Sequence, residues 1–320
     1  FGLILVNENG LNYLLRNDIP ETITKSFNAW LVKKYQTTTN LRKALGQELQ
    51  SSESLESSTI MSPKHSRDTS ERLRVFQEFI IDKEYELSSW QTEHLKAVGY
   101  TGLITGLDNW MSLTASKSRS QFKWIDMHGY HDENFSFQKG ASIKQISSLS
   151  NGIKYFRHLA ASSERNKPFT VSEYGQPFWN KFRYEAGIVL PALASFQNWD
   201  MICNHSQGAI DLSYSSPQGA KRKQSMHPYN NGLDPVVRAG ETLAALLFLR
   251  GDILPSPNTM VVDYTKNRWL SKTGFSTMPD SLNYLSLLTG LRINFNNKAS
   301  QGDNEYFYYK VYGSLNERVN

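Results

Sequence analysis

Cys203 is the only cysteine among 320 residues. Its isolation excludes an intramolecular disulfide framework and a multi-thiolate metal centre, and it leaves the compartment open. No apolar run reaches the roughly 18 residues that a membrane-spanning helix needs. Neither a signal-peptide pattern, an internal repeat nor a nucleic-acid-binding motif is found within the sequence. The 35 basic residues outnumber the 30 acidic ones, but they are spread along the chain. Only Lys221-Arg222-Lys223 forms a tight run, which fits a solvated loop and could also meet an anionic polysaccharide.

The composition that remains is that of a globular chain, 39% hydrophobic and 20% charged, long enough for one large α/β domain with a small appendage. Aromatic residues make up 12%, with seven Trp and sixteen Tyr. They suit either an ordinary aromatic core or a site that stacks flat sugar rings. The chain opens on Phe-Gly-Leu-Ile-Leu-Val, not on Met, as a segment lacking its upstream part would.

Five short apolar segments recur, at Gly2–Val6, Gly102–Thr105, Phe122–Met127, Pro168–Ser172 and Ala194–Met201. Helix-like stretches separate them, over Glu21–Leu45, Ser70–Ala97 and Ile143–Ser162, and a last one follows at Pro235–Leu249. Strand-like and helical runs in alternation predict βαβ units with a parallel sheet. The Ser-rich stretch over 47–69 reads as an irregular insertion leading into the next helix. After Pro255 the character changes: Thr259–Tyr264 and Glu305–Val311 look like antiparallel strands, with apolar Leu282–Leu291 between them. Residues 1–255 are therefore expected to form the main domain, and 256–320 a β-rich appendage or the start of a second domain.

In parallel α/β barrels, reactive groups sit where strands end and loops begin. The expected strands end in Asn7-Glu8-Asn9, Asp108-Asn109-Trp110, Asp126-Met127-His128-Gly129-Tyr130-His131, Ser172-Glu173-Tyr174-Gly175 and Gln197-Asn198-Trp199-Asp200. Glu8 and Glu173 each follow an apolar strand directly. Two carboxyl groups at different strand ends can supply the acid and the second carboxylate that glycosidic cleavage needs. A single glutamate in such a place is equally an ordinary surface carboxylate or a helix cap. His131, Asp132 and Glu133 suggest a metal cluster on paper, but adjacent residues in a turn point apart, so no metal and no cofactor are expected.

The neighbours make the pattern specific. Asn-Glu at one strand end and Glu at the third strand end after it resemble clan A of the glycoside hydrolases, where these are the fourth and seventh strands. Phe27-Asn28-Ala29-Trp30-Leu31-Val32-Lys33-Lys34-Tyr35, Gly99-Tyr100-Thr101-Gly102-Leu103-Ile104-Thr105 and Lys167-Pro168-Phe169-Thr170-Val171-Ser172-Glu173-Tyr174-Gly175 resemble the corresponding elements of family 42 β-galactosidases and cellulase-like relatives. The resemblance runs from Gly2 to Asp252. It implies a (β/α)8 TIM barrel of which this chain supplies strands 4–8, plus the β-rich C-terminal appendage. Strands one to three would come from an upstream segment of the same or another polypeptide.

The resemblance further implies a retaining glycosidase acting on a poly- or oligosaccharide. Glu8 would be the acid/base with a raised pKa, and Glu173 would stay ionised as the nucleophile. Asn7 would bond the sugar 2-hydroxyl, Tyr130 and His128 would hold Glu173, Trp199 would form a stacking floor, and Asn109 and Trp110 would line the mouth. His128 is alternatively a buried structural histidine, Trp199 core packing, and Tyr184-Glu185 a structural element. Asn9 departs from the Pro that many clan members carry after the glutamate. Retention requires carboxyl groups about 5–5.5 Å apart. The rival readings are a non-catalytic carbohydrate-binding barrel and an inactive truncated fragment. A carbohydrate substrate implies secretion, to the periplasm or outside the cell.

Overall fold

The computed structural model describes residues 2–15, 18–65, 69–132, 142–177, 179–205, 234–295 and 308–312. Lys221–Lys223 and Glu133 lie outside the described residues. The chain forms two compact units. One holds residues 1–124, 263–278 and 294–308, and the other holds 125–262, 279–293 and 309–320.

In the first unit, β1 (Gly2–Ile4) pairs in parallel with β2 (Leu103–Thr105), with Leu3 opposite Ile104. Three helices connect them: α1 (Thr22–Tyr35), α2 (Thr38–Leu45) and α3 (Glu71–Ala97). The single helix expected over Glu21–Leu45 is broken at Gln36, whose φ of 65° is left-handed. Thr37 then caps α2, its hydroxyl accepting from the Asn40 N–H at 3.2 Å. Ser70 caps α3 in the same way through Leu73. The apolar stripes of the helices meet in one core, where Phe27, Leu31, Leu41, Leu45, Phe76, Phe79 and Ile80 are buried. Phe27 lies edge-on to Phe76 and Phe79 at 5.2 and 5.3 Å between centroids. The Ser-rich insertion is irregular, as expected, yet tied down: the Asn28 amide exchanges two hydrogen bonds with the Ile60 backbone, and Arg72 bonds Glu53. Helix α4 (Leu113–Arg119) follows β2.

In the second unit, β3 (Ile125–Tyr130), β4 (Phe169–Gly175) and β5 (Met201–Asn204) form a parallel sheet in that order. Helix α5 (Lys154–Ala160) packs on β3, so closely that a Cβ on Gly129 would stand 2.8 Å from the Leu159 side chain. The run Ala194–Met201, expected to be a strand, is not one. Val189–Phe196 forms helix α6, burying Leu190 and Ala194 one turn apart, and the strand begins only at Met201. Apolar runs of this length fit a buried helix and a buried strand equally well, and here the helical spacing prevails.

The register of β4 carries a bulge. Met127 pairs with Val171, but the next residue of β3, His128, pairs with Glu173, so Ser172 is an extra residue against β3. Such insertions re-aim side chains and recur beside active sites.

Thr259–Tyr264 (β6) is a strand as expected and lies between β7 (Gly290–Phe295) and β8 (Tyr308–Tyr312). Among the described residues the five parallel strands fall into a two-stranded and a three-stranded sheet, without a closed barrel. No described helix is long and apolar enough to cross a membrane.

Candidate active site

Strand β3 runs three residues further than the apolar pattern suggested, and this decides how its polar residues lie. Asp126, His128 and Tyr130 alternate along one face of the strand. Asp126 and His128 are buried within the strand, while Tyr130 stands at its C-terminal end. Against them, at the bulged end of β4, stands Glu173. The Tyr130 hydroxyl donates a short hydrogen bond to Glu173 Oε2. The Nδ1 atoms of His128 and His205 each approach that same oxygen at 3.5 Å. The Glu173 side chain is 21% exposed, so it is reachable from solvent while held on one oxygen. Among the described residues its other oxygen accepts no hydrogen bond.

His205 was not among the residues singled out from the sequence. It directly follows β5, donates its backbone N–H to Tyr174 O at 2.8 Å, and meets the Tyr130 ring edge-on at 5.9 Å. It takes the strand-end place that Trp199 was expected to hold. Trp199 instead precedes β5, where its ring packs on Phe156 at 5.3 Å and on Phe169, the first residue of β4, at 5.0 Å. At 5% exposure it is core at the opposite end of the strands, and the stacking-floor expectation is corrected. The error follows from placing the fifth strand too early.

In the first unit, Glu8 lies beyond the end of β1 with a φ of 48°, and its N–H donates to Asp108 Oδ1 at 2.7 Å. Asp108 is buried in the loop that leaves β2. Two further left-handed residues, Leu107 and Trp110, occupy that loop. Strain of this kind in non-glycine residues persists only where surroundings impose it. The imposing group is Arg119 on α4, 1% exposed, whose Nη1 donates to the Leu107 and Asn109 carbonyls and whose Nη2 donates to the Trp110 carbonyl and the Ser116 hydroxyl. Asn109 accepts from the Trp110 N–H, and the Trp110 ring meets Tyr13 edge-on at 4.6 Å. Asn7 is exposed. Neither Asp108 nor Arg119 had been assigned a role from the sequence, where only their spacing from the strand could have marked them.

The chain beyond Glu8 is anchored from beneath. Glu84 of α3, 1% exposed, accepts from the Asn12 backbone and side chain at 3.1 and 3.3 Å. Gly10 passes so near that a Cβ there would stand 2.7 Å from the carboxylate. Burial raises the Glu84 pKa from 4.5 to about 7, against the lowering effect of the hydrogen bonds from Asn12 and Leu11. Between those values the unfolded chain loses this proton while the folded chain keeps it, so stability falls as pH rises. The total is about 3 kcal/mol, complete above pH 7. Glu84→Gln is expected to flatten this slope, leaving stability equal below pH 4.5 and higher at pH 8 in urea titrations. A slope unchanged in the variant would assign the pH dependence to other groups.

Among the described residues, His131, Asp132 and Glu185 each have protein partners. Asp132 accepts from the Lys144 and Gln145 N–H groups and from Asn180, all at 2.8 Å, and His131 bonds the Ile146 carbonyl. Glu185 is buried and holds Ser147 and Ser148.

The family model described as beta-galactosidase, glycoside hydrolase 42, matches residues 4–185, more than half of the chain and a span that contains both Glu8 and Glu173. The chain belongs to glycoside hydrolase family 42. No curated protein sequence matches it. Similar solved structures include a polyextremophilic beta-galactosidase from the Antarctic haloarchaeon Halorubrum lacusprofundi, at 16% identity and a TM-score of 0.49, covering 82% of this chain and 41% of that one. A beta-galactosidase from the psychrophilic Marinomonas ef1 has 10% identity and a TM-score of 0.48, covering 90% and 48% respectively. One from Bacillus circulans sp. alkalophilus has 17% and 0.44, covering 87% and 44%. This family 42 chain thus spans less than half the length of these structures.

Proposed function

We propose that this family 42 chain supplies strands 4–8 of a (β/α)8 barrel in a retaining β-glycosidase. The observation that carries the reading is Glu173: a carboxylate at a strand end, gripped on Oε2 by a tyrosine and flanked there by two histidines, with Oε1 left to form a bond. In the reaction, Glu173 attacks the anomeric carbon while Glu8 protonates the departing oxygen. Glu8 then takes a proton from water as the water displaces Glu173. Asn7, Asn109 and Trp110 belong to the loops that would meet the sugar. The substrate is a β-linked poly- or oligosaccharide, and the place of action is periplasmic or extracellular.

The proposal includes an upstream barrel segment. Among the described residues β1 is paired along one edge only, by β2, whereas a closed barrel leaves no such edges. Activity is therefore expected of the polypeptide that contains the whole barrel.

Glu8→Ala separates the two glutamates. With a dinitrophenyl glycoside, whose leaving group needs no proton, the first step should proceed almost unimpaired. With an alkyl glycoside, kcat/KM should fall about 10²- to 10⁴-fold, the usual worth of a general acid. Equal losses on both substrates would remove Glu8 from that role. NMR of the first product formed decides stereochemistry: an inverted anomer would sink the double-displacement mechanism.

A further inference from the structure

The bulge in β4 does more than turn Glu173. It also inserts Ser172 between a buried carboxylate and a buried imidazole. The Ser172 hydroxyl donates to Asp126 Oδ2 at 2.5 Å. Asp126 is committed to accepting: its Oδ1 takes the Thr170 hydroxyl and, at 3.1 Å, the Ser172 backbone N–H. Those donors favour the charged carboxylate even though its side chain has no exposure. A hydroxyl has one proton, and Ser172 has given it to Asp126. Toward His128 Nε2, 2.9 Å away, its oxygen can therefore only accept. Nε2 must carry a proton, and the ring nitrogen that faces Glu173 Oε2 at 3.5 Å is Nδ1.

We infer that Asp126 and Ser172 are positioning residues that hold the Nε2 proton of His128, so that Nδ1 is the ring atom at which His128 gains or loses a proton against Glu173. A histidine free to carry its single proton on either nitrogen would set no such condition. Its meaning for catalysis rests on Glu173 being the nucleophile; the position of the proton on the ring does not. Asp126 acts from two residues below His128 on the same strand face. This gives a function to a buried carboxylate that would otherwise be a costly core residue.

The test is long-range ¹H–¹⁵N NMR of the full chain labelled at its histidines, at one fixed pH. The chain has seven histidines, and His128→Gln identifies the signals of this one. The parent should show Nε2 with the shift of a protonated ring nitrogen. In Ser172→Ala the Asp126 carboxylate stays 3.8 Å from Nε2 but no longer reaches it through a hydroxyl, so the Nε2 signal should move part of the way toward the unprotonated range and Nδ1 toward the protonated one. Asp126→Asn should move them the same way, because its amide can donate to Ser172 and turn that hydroxyl toward Nε2; it serves if the alanine variant fails to fold. A bare Nε2 in the parent, or shifts unchanged in the folded variant, overturns the inference. In the active polypeptide Ser172→Ala should lower kcat about tenfold to a hundredfold with KM little changed, the scale of losing a partner that orients a functional histidine. If the shifts move as stated while Glu173→Gln keeps full activity, the tautomer control stands and the nucleophile reading falls.

Discussion

Glu173→Gln should lower kcat for an aryl β-glycoside by at least about 10⁴-fold, with KM much less affected, because it removes a group that bonds only to the reacting carbon. The substitution keeps size and hydrogen-bonding reach, so Tyr130 can still meet the side chain and the fold is not the cause of the loss. Glu173→Ala provides the complementary result. It opens a space beside the anomeric carbon, and a small anion such as azide should enter and restore turnover of an activated substrate. The sugar azide formed should have inverted configuration, since the anion does the attacking in place of the enzyme. Full activity in Glu173→Gln would refute the mechanism. Both assays need the polypeptide that completes the barrel.

The strand-end places of Glu8 and Glu173 were legible in the sequence because each follows an apolar run at once, while the roles proposed for them rest on the family resemblance. Tyr130 and His128 were expected beside Glu173 through the resemblance alone, and both reach its Oε2. The strand boundaries were less legible. The third strand extends to Tyr130, which sinks Asp126 and His128 into its body, and no local pattern separates a strand's last residues from its loop. Trp199 was misplaced because the apolar run before Gln197 was read as the strand, whereas it closes the helix Val189–Phe196 and the strand begins only after Asp200. With the strand moved to Met201–Asn204, His205 comes to Glu173 and Trp199 to the core. The bulge at Ser172 has no signature in the sequence, since it is a matter of register between strands. The positive φ values at Glu8, Leu107 and Trp110 are equally silent there, because none of them is glycine.

The strained Leu107 and Trp110 both give their carbonyls to Arg119, whose removal should have the largest effect on stability. Arg119→Ala would leave the buried carbonyl of Leu107 and those of Asn109 and Trp110 without their donors. Each buried carbonyl left without its donor costs about 1–3 kcal/mol, and together they are a large part of the roughly 5–15 kcal/mol that holds a typical domain together. Urea unfolding should show this as a lower midpoint, and hydrogen exchange should show Leu107–Trp110 opening first. Arg119→Lys should recover only part, since one ammonium cannot span acceptors that the planar fork reaches together. The loop held by Arg119 also carries Asp108, whose carboxylate receives the Glu8 N–H. If the loop is the means by which α4 sets Glu8, then Arg119→Lys should lose kcat beyond what its stability loss explains. Asp108→Asn, which keeps an acceptor for the Glu8 N–H, should lose much less. Kinetic losses in Arg119→Lys that vanish when assayed well below its unfolding temperature would confine Arg119 to stability alone.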